Sequence, residues 1–194
     1  FSGKVSVSAL SAQTTMEGPI KYGAWLLSAR RTYVDKVTQG LKSAGLTDFS
    51  LPYYFYDLQG HIFQDLTDRD RISLSWYSGL DNLEWDELGL ITNWGNRTIA
   101  ANYRKLFNTQ LISNWMLAKS RFDIYFELGS GGMVENDYID DITFNNTWTW
   151  YASQQTRLNF GVEIKDLFFS YGVTFLDSVI FETKQKPIEG AVFL

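Results

Sequence analysis

Two short acidic stretches hold the side chains of this sequence best equipped for chemistry. Asp81, Glu84, Asp86 and Glu87 crowd the first, Glu135, Asp137, Asp140 and Asp141 the second, and neither contains a lysine or arginine. Hard carboxylate oxygens on a flexible loop suit calcium, as a structural clip, or a positively charged ligand. The spacing matches no defined calcium loop, so solvated acids that keep an exposed rim soluble are the simpler alternative. Glu135, Asp137, Asp140 and Asp141 are the candidate metal set, and calcium is the one cofactor they imply.

The remaining reactive residue types point away from catalysis. His61 is the only histidine and there is no cysteine, which removes thiol nucleophiles, thiolate metal sites and disulfides. A single histidine without a carboxylate pair beside it makes neither a transition-metal site nor an acid–base centre. No catalytic residue is assigned, and no enzymatic activity is expected. Arg30 and Arg31 invite an anion, but Arg30 falls on the polar parity of its strand and Arg31 near its outer end, where wall charge or snorkelling toward an interface accounts for them. Asn96-Arg97-Thr98 and Asn145-Asn146-Thr147 match the glycosylation sequon, which matters only in a eukaryotic secretory setting. Tyr53, Tyr54, Tyr56, Trp76, Trp94, Trp148, Trp150 and Tyr151 carry rings that stack on sugars and that equally suit a membrane headgroup level.

These side chains need a scaffold, and Tyr53 to Gly79 shows it best: two strands joined by the charged turn Thr67-Asp68-Arg69-Asp70. Tyr54, Tyr56, Leu58, Gly60 and Ile62 alternate with Asp57, Gln59 and His61, and Ile72, Leu74 and Trp76 alternate with Arg71, Ser73 and Ser75. A period of two, one face apolar and one wet, is the pattern of a sheet. It recurs over Lys4 to Gln13, Gly23 to Tyr33, Trp94 to Lys105, Ile142 to Tyr151 and Arg157 to Glu163, with Glu17-Gly18-Pro19 breaking the first strand. Leu111 to Tyr125 reads as a strand whose alternation assigns no faces. Asp35 to Phe49 reads as a loop with one or two helical turns, Asp81 to Leu88 and Leu128 to Asp141 as acidic loops, and residues 166–186 as a further long loop before a ninth strand starts at Ile188. Short turns near residues 19, 68, 108 and 154 should then share one rim, with the long loops on the other.

At 194 residues, 45% of them hydrophobic, the chain suffices for one domain. Its 16% aromatics with seven Trp stand beside only three Pro and a net charge of −5. It has no apolar run of the roughly 18 residues that a spanning helix needs, whereas barrel strands need only about 9 to 11 residues and show by alternation. The missing initiator methionine and leader point to a processed product or a piece of a longer chain. An acidic balance without a basic cluster argues against a nucleic-acid partner.

The segments GAWLLSARRTYVD, PYYFYDLQGHIFQDLTDRDRISLSWYSG, NWGNRTIAANYRKLFNTQL and TRLNFGVEIK, in this order, resemble consecutive barrel strands of TonB-dependent outer-membrane receptors, especially those with an N-terminal carboxypeptidase-like regulatory domain. The resemblance covers nearly the whole chain and contains no catalytic motif. It implies an all-β fold, an antiparallel transmembrane β-barrel segment of about eight strands plus the start of a ninth, cut from a plugged barrel of about 22 strands. Residues 1–194 would be part of one barrel domain without its plug. Also implied are an outer-membrane location and energy-coupled uptake of an iron chelate such as a siderophore, a vitamin or a glycan. The implied partners are outer-membrane lipid, the remaining strands and plug of the parent chain, a small-molecule or glycan ligand, and the energy-coupling inner-membrane complex. No ligand-binding residue sits on a shared motif.

Two other architectures stay open: a complete eight-stranded outer-membrane barrel acting as adhesin or structural protein, and a soluble carbohydrate-binding β-sandwich or propeller. For a barrel wall, Leu58, Ile62, Ile72, Leu74, Leu158, Phe160 and Val162 should meet acyl chains, and Gln59, Ser73, Asn159 and Glu163 should face the lumen.

Overall fold

Extended backbone leaves a donor and an acceptor at every residue, and each needs a partner. The computed structural model describes residues 1–129 and 131–194. Among these, eleven strands satisfy one another in a single antiparallel sheet. They are β1 (Ser2–Val7), β2 (Ser11–Ile20), β3 (Gly23–Thr32), β4 (Tyr53–Asp65), β5 (Asp70–Trp85), β6 (Leu90–Leu106), β7 (Leu111–Leu128), β8 (Met133–Tyr151), β9 (Arg157–Phe175), β10 (Ser178–Gln185) and β11 (Ile188–Phe193). Neighbours in sequence are neighbours in space from β1 through β10.

β10 pairs with the last part of β9, and β11 pairs with β9 over Gly161 to Asp166, so the two form one strand interrupted at Lys186-Pro187. Proline has no N–H for a ladder; its carbonyl still accepts the Leu167 N–H at 3.0 Å and stitches the interruption to β9. Nine strands plus this joined line give ten paths, and the outermost two do not pair with each other. The all-β barrel-segment expectation holds, with more strands than about eight and a stub. A closed eight-stranded barrel and a two-layer sandwich do not fit a single open sheet.

Several expected loops are strand. Residues 4–13 are split by a tight turn at 8–10, where the Ser8 hydroxyl accepts the Ser11 N–H at 3.0 Å. Glu17-Gly18-Pro19 lies inside β2 instead of ending it: β1 pairs only as far as Glu17, so Pro19 deprives no neighbour on that side. β5 runs on to Trp85, β8 starts at Met133, and β9 runs to Phe175, where Leu176 and Asp177, at φ 47° and 61°, turn the chain into β10. That two-residue left-handed turn matches the twist of the strands it joins. Among the described residues only 33–52 form a long connection. They carry α1 (Val34–Ser43), which buries no residue, and Thr38 ties it back by accepting the Leu51 N–H at 3.0 Å.

The connections at 21–22, 66–69, 107–110 and 152–156 fall at one end, the turn end, as expected for 67–70, 107–110 and 153–156. The opposite, loop end is reached by lengthening strands, 16 residues in β5 and 19 in β8 and β9, more than by long loops. Leu167 is the only buried hydrophobic residue among those described. A soluble chain of this length buries about 70% of its surface around a core; a single sheet provides none.

Candidate functional site

Residues opposite each other on a ladder project to the same face, so the register carries the parity of one strand across the sheet. Trp25, Ile62, Leu74, Ala101, Leu117, Phe144 and Ile164 form one such row. The register puts Leu58, Ile62, Ile72, Leu74, Leu158, Phe160 and Val162 on one face, and Gln59, Ser73, Asn159 and Glu163 on the other. It also assigns β7, with Trp115, Leu117, Lys119 and Arg121 on the apolar side. Large exposed side chains gather there: Leu58 is 40% exposed, Leu117 57% and Ile164 50%.

The apolar stripe runs obliquely to the strands. From the row shared by Ile62 and Ile164 it extends toward the loop end on β4, through Gly60 and Leu58, and toward the turn end on β9, through Val162, Phe160 and Leu158. Tilted strands crossing a level belt produce this offset, as barrel closure demands. At the turn end the stripe finishes in aromatics. Trp148 stacks on Phe107 at 5.3 Å and on Phe160 at 6.3 Å, with Trp115 edge-on at 6.4 Å. The Trp148 and Trp115 indoles donate to Asn146 Oδ1 at 2.6 Å and Ser113 Oγ at 3.1 Å, so their polar edges are satisfied. Amphipathic rings of this kind suit an interface.

Behind the stripe, the opposite face is a polar wall. Arg30 pairs with Asp57 at 2.7 Å and lies over the Phe55 ring; Glu163 accepts from Asn145 at 3.0 Å and pairs with Lys165 at 3.2 Å. Arg30 is thus wall charge, and Arg31 lies over Tyr54 on the other face. His61 Nδ1 and Ser75 Oγ share a hydrogen bond of 2.8 Å beside a concavity of about 350 Å³ lined by Leu26, Gln59, Tyr77 and Thr98. Toward the loop end the Tyr53 hydroxyl donates to Asp81 at 2.5 Å; burial first, then that carboxylate, push its pKa up to about 12.

The candidate metal set does not assemble. Its members lie on β8, not on a loop, and alternate across the sheet: Glu135, Asp137 and Asp141 on the polar face, Asp140 on the other, where it pairs with Arg121 at 3.3 Å. Asp141 accepts from Thr143 at 2.6 Å. Asp137 accepts the Gly172 N–H at 3.0 Å where the β8–β9 ladder lapses, a structural job that the sequence did not reveal. Glu135, above the apolar stripe, is raised from the usual carboxylate range by sharing a proton with Asp137. No three acid or histidine side chains converge to hold a metal ion among the described residues. The first acidic stretch is dispersed as well, with Asp81 and Glu84 on opposite faces of β5.

No family model and no curated protein matches the sequence. Solved structures do match. The ferric yersiniabactin uptake receptor FyuA from Yersinia pestis aligns with a TM-score of 0.52 at 10% identity, over 94% of this chain and 34% of that one. The chain has the fold of a stretch of β-barrel wall. The ferric-catecholate import receptor Fiu from E. coli K12 aligns with a TM-score of 0.53 at 8% identity, over 94% and 38%. This chain therefore spans little more than a third of the structures it matches, and at such identity the likeness speaks for fold alone. Among the described residues no helix is long and apolar enough to cross a membrane, which says nothing of crossing by strands.

Proposed function

We propose that this chain is a wall segment of an outer-membrane receptor that imports a scarce ligand, a ferric siderophore ahead of a vitamin or glycan. The observation that carries it is the apolar stripe: one sheet, one greasy face, one polar face and almost no core. Lipid offers no hydrogen bonds, so strands crossing it must pair all the way round, and the remaining strands of the parent chain complete that circuit. A plug inside it and the energy-coupling inner-membrane complex are the other partners, and the wall itself performs no catalysis. What supports ranking ferric siderophores first among ligands is the likeness in fold to FyuA, an uptake receptor for ferric yersiniabactin, and Fiu, a ferric-catecholate import receptor. Deleting the parent gene should abolish growth on at least one ferric siderophore under iron limitation, and restoring the gene should recover it. Unchanged uptake of ferric siderophores, cobalamin and glycans alike would remove the import role.

A cation role is kept for Glu135 with Asp137 alone, since a cation competes for the place of the proton their carboxyls share. Calorimetric titration of the parent with calcium should show one weak saturable site that disappears in Glu135→Gln. The absence of binding heat would leave Asp137 only its bond to Gly172.

A further inference from the structure

Lys119 stands on the apolar face. Its ladder neighbours are Ile99 and Ile142, Leu117 precedes it on the same face, and no carboxylate pairs with it among the described residues. One row nearer the loop end Arg97 lies directly opposite Arg121, a like-charge pair that a sheet tolerates only with an anion close by. Asp123 reaches Arg97 at 3.4 Å and Arg121 at 3.7 Å, and Asp140 reaches Arg121 at 3.3 Å. Three cations thus face two carboxylates, and one positive charge is left over. Arg97 keeps 65% of its side chain exposed.

Position bears on which anion would balance it. Lys119 is eight residues beyond Leu111, where β7 begins. At about 3.3 Å per residue and a tilt of about 40°, that is roughly 20 Å above the turn end, just short of the edge of an apolar belt about 25 Å tall. A lysine there extends its stem along the apolar surface and lifts its ammonium to the headgroups. We propose that Arg97, Lys119 and Arg121 hold the phosphate of an anionic lipid at the loop-end margin of the apolar face. Asp123 and Asp140 fix the two guanidiniums, and the lipid supplies the remaining negative charge. The inference rests on the apolar face meeting lipid.

The parent protein, reconstituted into nanodiscs of phosphatidylcholine mixed with phosphatidylglycerol, should retain the anionic lipid about fivefold over its share in the mixture, as read by native mass spectrometry. Arg97→Gln with Lys119→Gln and Arg121→Gln should bring retention to parity, and Lys4→Gln, on the polar face, should leave it unchanged. Parity in the unmodified protein, or an unaltered preference in the triple variant, overturns the proposal. Displacement by inorganic phosphate would assign the site to free phosphate and overturn the lipid. Should the triple variant misfold, Lys119→Gln alone must still lower retention. Failure of the parent to enter nanodiscs at all would instead contradict the membrane reading.

Discussion

Replacing Leu74 by arginine should cost about 2 to 4 kcal/mol of stability in lipid, and replacing the adjacent Ser73 far less. Leu74 lies between Ile62 and Ala101 near the middle of the apolar stripe, whereas Ser73 lies between Phe63 and Asn102 on the polar wall. The two side chains are one residue apart and point to opposite solvents, so depth in the membrane is nearly constant and only the face changes. Urea unfolding of the refolded parent in vesicles measures both, and equal costs would contradict the face assignment.

The second large effect concerns the edges. β1 offers only one side to β2, and the β10–β11 line only one side to β9, so each leaves a row of backbone donors and acceptors unpaired. In lipid each such group costs several kcal/mol, and in water an open edge beside exposed Val5, Val7, Ile188 and Val192 pairs with other chains. Residues 1–194 alone should therefore self-associate in buffer and in detergent, while the whole parent should be monodisperse in detergent. Analytical ultracentrifugation distinguishes the two. A soluble monomer of the isolated segment with cooperative unfolding would contradict a one-layer wall.

Alternation made the strands legible only where one face is apolar. Leu158, Phe160, Val162 and Ile164 announce β9, but beyond them its outer face carries Asp166 and Ser170, and Glu135 to Asp141 gave no period at all although they lie within β8. Above the stripe β8 is polar on both faces and only pairing holds it, whereas on β9 the apolar parity changes sides, with Leu167, Phe169, Tyr171, Val173 and Phe175 on the inner face, so the alternation does not continue that of Leu158 to Ile164. Long strand ends therefore read as loops in the sequence, and acids on opposite faces as one cluster. β7 failed for a related reason: Lys119, Arg121 and Asp123 share the parity of Trp115 and Leu117 and blur the alternation, and only the register to β6 and β8 separates the faces. Those interrupting charges are also what the sequence most understated, because their meaning depends on their being brought beside Arg97 and Asp140 by non-local pairing. The hairpin of β4 and β5 was legible because its turn is short and its stripe uninterrupted.

The most direct test of the central claim is spin-label accessibility along β5. Single labels at each position from Ile72 to Tyr77 of the parent in vesicles should show oxygen accessibility rising at 72, 74 and 76 and falling at 73, 75 and 77, with a water-soluble nickel reagent doing the reverse. Flat profiles, or oxygen maxima at Ser73 and Ser75, would contradict an apolar face turned to lipid.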